Sequence, residues 1–143
     1  MRTVGMLLFT TTILTLATAA SAQDRSWGLG AGAFDGDFTA HIRKDFWLGG
    51  DISQISAQAS VYFPGKTTFG LDADYHFSLR SGSGRFYPLA GLHFAFNANN
   101  AKFGLNGGGG FNFKLTQQLA AFAEAKYVLF GWEGFAFVGG VYF

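Results

Sequence analysis

Between residues 69 and 79 hydrophobic and polar positions alternate without exception. Phe69, Leu71, Ala73, Tyr75, Phe77 and Leu79 are apolar, and Gly70, Asp72, Asp74, His76 and Ser78 lie between them. A helix starting at Phe69 would put Asp72 and His76 beside Ala73 on one face. A two-residue period fits where a period of 3.6 fails, which predicts a strand. The pattern returns at 103–115, with Phe103, Leu105, Phe111, Phe113 and Leu115 in one phase and Asn106, Asn112 and Lys114 in the other. It returns at 119–129, where Leu119, Ala121, Ala123, Ala125, Tyr127 and Leu129 oppose Glu124 and Lys126, and at the chain end as Phe135, Phe137, Val141 and Phe143. Turn signals separate these runs: a Gly-Ser pair at 82–83, a polar stretch at 97–102, and short breaks at 116–118 and 131–133. Upstream, residues 26–34 and 37–43 flank Asp35-Gly36, and 46–53 follows an expected turn at Lys44.

The polar phase distinguishes two architectures. A soluble barrel or sandwich turns a face rich in Lys, Glu and Arg to water. Here that phase carries Gly28, Gly30, Gly32, Gly70, Gly91, Gly104, Gly108 and Gly110, with few charges. Small residues and sparse charges suit the inside of an eight-stranded tube, whose lumen is only wide enough for side chains. The apolar phase then faces lipid, where a closed barrel satisfies every backbone N–H and C=O by leaving no free edge. Trp27, Tyr75, Tyr87, Tyr127 and Trp132, near strand ends, are expected in interfacial girdles. Residues 54–66 also alternate, through Ile55, Ala57, Ala59, Val61 and Phe63, before Pro64-Gly65. This piece reads either as an extra strand or as the rising part of a long hairpin. The even strand count of bacterial single-chain barrels favours the hairpin and a total of eight strands.

Composition agrees. The 143 residues include 21 glycines and 18 phenylalanines but no cysteine. So much glycine disfavours a helical bundle, and the missing thiols remove disulfides and thiolate metal sites. With 13% charged residues the chain is not disordered in type, and its net charge of +1 offers no footprint for nucleic acid. Arg2, an uncharged stretch from Val4 to Ala20 and the small residues Ala20-Ser21-Ala22 have the three parts of a secretory signal peptide. Residues 1–22 are therefore read as a signal peptide cleaved after Ala22, and 23–143 as the β-barrel. Loss of Arg2 leaves the mature chain formally neutral.

The ending GFAFVGGVYF, residues 134–143, resembles the last strand of bacterial outer-membrane barrels. The run FNFKLTQQLAAFAEAKY at 111–127 and the run YPLAGL at 87–92 are similar to segments of the small outer-membrane β-barrel domain family, which is opacity-type and porin-like in fold. The resemblance spans roughly 26–143. It implies an all-β, eight-stranded, antiparallel up-and-down transmembrane barrel in the outer membrane of a Gram-negative envelope, with both termini in the periplasm. It also implies a C-terminal assembly signal at Phe143, Val141 and Phe137, read by the outer-membrane assembly machinery. The short outer loops depart from the opacity-type adhesins, which argues against host-surface binding.

Candidate chemistry is confined to the polar phase. Arg43, Asp51, Asp72, Asp74, His76, His93, Lys114, Glu124 and Lys126 are expected in a lumen network, with His41 beside them. Their charges should pair, because an isolated buried ion costs several kcal/mol. With Gly82-Ser83 at the centre of its hairpin, Asp72 falls opposite His93, read as a structural pair rather than a pH switch. The sequence His76-Phe77-Ser78 is similar to the His and Ser placed two apart in barrel lipid A deacylases. Both, however, share the lumen phase, and no orienting carboxylate is placed to complete a nucleophilic site. The three histidines lack metal-ligand spacing, and Gly28-Leu-Gly30-Ala-Gly32 has no following helix to make a dinucleotide site. The glycines at 107–110 are expected to make room for a bulky neighbour, Phe122 or Trp47. The reading is a non-catalytic barrel without cofactor or metal, in a structural or envelope-integrity role, with its rim available to an unidentified partner protein. A narrow pore for water or small solutes and a lipid-modifying enzyme are its rivals.

Overall fold

The computed structural model describes residues 26–49, 52–63 and 67–143, so the expected signal peptide lies outside the described residues. Nine strand segments follow in chain order: β1 (Trp27–Phe34), β2 (Asp37–Gly49), β3 (Ser53–Tyr62), β4 (Thr68–Phe77), β5 (Leu79–Ser81), β6 (Gly84–Phe96), β7 (Ala101–Lys114), β8 (Ala120–Leu129) and β9 (Gly134–Tyr142). Only Ser78 separates β4 from β5, and both pair with β6, so together they form one wall strand. The wall thus has eight strands, each antiparallel to its neighbour, and β1 pairs with β9 to close the tube.

Eight strands were expected, but two of them lie elsewhere. β2 runs through Lys44 and Asp45 without a turn, and the residues read as the rising arm of a hairpin form β3, which pairs with both β2 and β4. The Lys44-Asp45 pair has no Gly or Pro to reverse the chain. Asp45 continues the inward phase of His41 and Arg43, while Lys44 continues the outward one. Its ammonium lies 5.1 Å from the Trp27 ring centroid and donates to Ser26 Oγ, so the long stem spans apolar surface with its charge held at the rim.

Two connections are tight and explain the register. Asp35 and Gly36, both at positive φ, join β1 to β2, a conformation that glycine and aspartate tolerate in a two-residue hairpin. Gly82, at φ 58°, and Ser83 turn β5 into β6, which aligns Asp72 with His93 across β4 and β6.

The two faces of the wall differ in chemistry. Outward lie Phe38, Ile42, Leu71, Leu92, Phe103 and Phe137, each 40% or more exposed. Among the described residues, Lys44 is the one charged side chain at an outward position of the wall strands. Inward lie Arg43, Asp72, Asp74, His76, His93, Glu124 and Lys126, each 5% exposed or less. Phenylalanines left outside while lysine and aspartate are enclosed invert the usual soluble pattern, and make this the surface of a barrel solvated by hydrocarbon. The described residues contain no helix long and apolar enough to cross a membrane; this barrel would cross with its strands.

Candidate functional site

The lumen is a packed column of side chains, and inward glycines set its width. A Cβ on Gly30 would come within 2.3 Å of His41 Nε2, and one on Gly70 within 2.6 Å of the Tyr62 ring. A Cβ on Gly110 would meet the Tyr87 ring at 2.5 Å and Glu124 Cγ at 2.6 Å. Within the run 107–110 the side chains that need this room are Tyr87 and Glu124, against Gly110, and Lys126, whose Cβ would lie 2.8 Å from a Cβ on Gly108. Phe122 stands over Gly140 instead, and Trp47 lies outside the column at 45% exposed, so neither fills the space above the glycines at 107–110.

At the end of the barrel away from the termini, Phe34, Tyr62 and Trp132 form a cap. Ring centroids are 5.1 Å apart for Phe34 and Trp132, 5.1 Å for Tyr62 and Trp132, and 5.5 Å for Phe34 and Tyr62. Val128 and Ala136 complete this apolar cluster, and His93 lies 6.4 Å from Phe34.

Beneath the cap is the first charged group. Asp72 Oδ1 accepts from Asn106 Nδ2 at 2.7 Å and lies 2.8 Å from His93 Nδ1. Lys126 Nζ donates to Asp74 Oδ2 at 3.0 Å and stands 3.3 Å from Asp72 Oδ1. Asn106 Nδ2 also reaches Asp74 Oδ1 at 2.8 Å, so one amide ties both carboxylates together. Four strands supply this group: β4, β6, β7 and β8.

A second group lies toward the termini. Arg43 pairs with Glu124 through Nη1, and its Nε donates to Asp45 Oδ1 at 3.3 Å. Gln54 Nε2 donates to Asp45 Oδ2 at 3.0 Å and lies 2.9 Å from His76 Nδ1. His76 stacks on Tyr87 at 4.5 Å. The Arg43 guanidinium sits over Phe122 at 4.7 Å and Tyr142 at 5.5 Å, with Phe122 also 5.7 Å from His41. Pairing and cation–π contact in a poorly hydrated interior hold each base in one place.

Seven of the nine residues expected in the network are buried in these two groups. Lys114 is not: it keeps the inward phase, but it is the last residue of β7 and stands exposed at the rim, where an ammonium retains its hydration. Asp51 lies outside the described residues. Tyr87 leaves the expected girdle for the lumen, where its inward phase stacks it on His76, and Trp132 joins the cap. Trp27 and Tyr75 are exposed on the outer face. Ser78 is buried, as is His76, so both point away from the lipid side of the wall.

Asp45, Gln54, Tyr62 and Tyr142 are lumen residues that the sequence reading did not single out. The signal for them was phase: Tyr142 falls on the inward parity of its strand, that of Ala136 and Val138, despite being apolar enough to suggest the outside. Among the described residues no group of three His, Cys, Asp or Glu side chains is arranged to hold a metal ion.

No protein-family model matches the sequence, and no curated protein matches it. Solved structures do. The N-terminal β-barrel domain of Pseudomonas aeruginosa OprF superposes with a TM-score of 0.67 at 17% identity, over 83% of this chain and 97% of that one. Neisserial surface protein A matches with a TM-score of 0.60 at 12% identity, over 82% of this chain and 92% of that one. The outer membrane enzyme PagL matches with a TM-score of 0.53 at 12% identity, over 82% and 97%. At such identities the likeness is one of backbone, and the set includes an enzyme, so no chemistry transfers with it. The chain has the fold shared by small eight-stranded outer-membrane β-barrels.

Proposed function

We propose that this protein is an integral outer-membrane barrel without catalytic activity, whose role is structural support of the envelope. The observation that carries the reading is the inversion of the wall: large hydrophobic side chains cover the outside, and the polar chemistry is sealed within. Side chains locked in ion pairs and stacked rings favour a rigid plug over a reactive centre. His76, held between Gln54 and Tyr87, and the buried Ser78 have no open face toward a lipid substrate. Phe137, Val141 and Phe143, on or beside the outward face of β9, are the residues we assign to recognition by the assembly machinery. Cell fractionation, with gel mobility compared before and after boiling, tests the reading. Recovery in the outer membrane with a heat-dependent mobility shift is expected; recovery as a soluble protein that purifies without detergent would overturn it.

A narrow path for water or small solutes is the second reading. Buried polar atoms without a partner, among them His41 Nδ1, Tyr87 OH and Asn112 Oδ1, favour it, because such atoms call for internal water. The aromatic cap opposes it. Planar-bilayer recordings separate the two: conductance steps support the path, and their absence supports the plug.

A further inference from the structure

The two ends of the barrel differ in the sign of their charge. At the terminal rim, where β1 begins and β9 ends, stand Lys44 of β2, Arg80 of β5, Arg85 of β6 and Lys114 of β7, all exposed or half-exposed. Arg80 and Arg85 are directly opposite each other in the register, so two of these charges are concentrated at one place. Asp24, Arg25 and Asp51 adjoin this rim in sequence. Five cations therefore meet two carboxylates, and no pairing among them removes the excess. Asp45 and Glu124, the enclosed carboxylates toward this end, share Arg43, and counting all three still leaves an excess of two positive charges. At the far end Asp35, Asp37 and Glu133 outnumber Lys102 and the adjoining Lys66.

Two of the rim cations are set against tryptophan. The Lys44 ammonium lies 5.1 Å from the Trp27 ring centroid, and the Arg85 guanidinium lies 4.9 Å from that of Trp47, with both tryptophans exposed. Tryptophan favours the boundary between hydrocarbon and headgroups, so a cation over its face is held at the level of lipid phosphates. On the same strand ends the wall turns Phe46, Leu79 and Phe86 outward, and Leu115 follows Lys114 at the end of β7. Apolar wall next to a positive rim matches the two parts of one amphiphile, an acyl chain and an anionic head.

We propose that the terminal rim is a collar for anionic phospholipid, gathering phosphatidylglycerol-type headgroups around Lys44, Arg80, Arg85 and Lys114 in preference to zwitterionic ones. The attraction is one of net charge at the membrane surface, where each further Lys or Arg strengthens the hold on an acidic leaflet. It requires no vacant partner on any single side chain. The far rim, of the other sign, gives no such preference, and the inference holds whether the lumen is a plug or a narrow path.

The test uses the folded barrel in phosphatidylcholine vesicles in which a minor share of the lipid is either brominated phosphatidylcholine or brominated phosphatidylglycerol. Bromine quenches nearby tryptophan, and Trp132→Phe leaves Trp27 and Trp47 as the reporters. In about 10 mM salt the brominated phosphatidylglycerol is expected to quench about twice as effectively, and in about 1 M salt, where the Debye length shrinks to about 3 Å, the two lipids should quench alike. Lys44→Gln combined with Lys114→Gln should lower the low-salt preference, while Lys102→Gln at the far rim should leave it unchanged. Equal quenching by the two lipids at low salt would overturn the proposal, and cosedimentation of the barrel with purified peptidoglycan would then assign the rim to the cell wall. A preference that survives the high salt, or one that Lys102→Gln abolishes, would overturn the assignment to these cations. Should a variant fail to fold, the wild type read with the same lipids at both salt concentrations decides the matter.

Discussion

Glycine is the residue that shapes this lumen, and its effect depends on which face it occupies. Gly110 is held open by the Tyr87 ring and Glu124, whereas a Cβ on Gly107 would meet nothing within 4 Å. Gly110→Ala is expected to cost about 1 to 3 kcal/mol through overpacking. Gly107→Ala should be neutral or stabilising by roughly 0.5 kcal/mol, since glycine is a poor strand residue. Urea titration of the refolded barrel in detergent distinguishes these outcomes, and equal effects would contradict the assigned faces. At this scale the sequence was informative where chemistry and phase agree. Asp72, Asp74, Glu124 and Lys126 announce themselves because polarity and inward parity coincide. Tyr87 was misread and Tyr142 missed because an aromatic ring is at home on either side of the wall, and the neighbouring glycines Gly110 and Gly28 reveal which side has room.

For the strands, period two was enough to find β4, β7, β8 and β9, and the Gly-Ser turn was enough to fix the pairing of β4 with β6. The β2–β3 region defeated the same method. A turn is usually polar, so Lys44-Asp45 looked like one, yet a membrane strand can carry one charge inward and snorkel the next along a tryptophan to the interface. Ala73 sits outward in the middle of β4, between the ion-paired Asp72 and Asp74. Ala73→Arg should therefore destabilise the barrel in lipid by about 2 to 4 kcal/mol, as read from unfolding in vesicles. A cost under about 0.5 kcal/mol would show that Ala73 is not at bilayer mid-depth. The last strand invites a different change. Phe143 N donates to Trp27 O at 3.0 Å just past the end of β9, so deleting Phe143 removes both a seam hydrogen bond and the terminal aromatic. Outer-membrane levels of the truncated protein, measured by immunoblot, are expected to fall several-fold while transcript levels stay constant.

As a whole molecule the barrel is almost all wall. Among the described residues, the connections farthest from the termini cover only residues 35–36, 97–100 and 130–133. A broad-specificity protease applied to intact cells is expected to leave the chain at full length, as seen on a denaturing gel. Cleavage at any of these three places would show more exposed chain than the fold provides. The architecture was readable from sequence because lipid imposes one rule on every strand. The order of side chains down the column was not, because it depends on how neighbouring strands are staggered, and that is set by the closure of the tube.

Closure itself carries a consequence. Since β1 finds its second partner only in β9, the first strand to emerge must wait for the last before its free backbone is met. Until then the molecule is a ribbon with two raw borders and one greasy side, vulnerable to sticking to its own kind. The nine residues of β9 work as a latch, and a chain interrupted before them would need an escort all the way to the membrane.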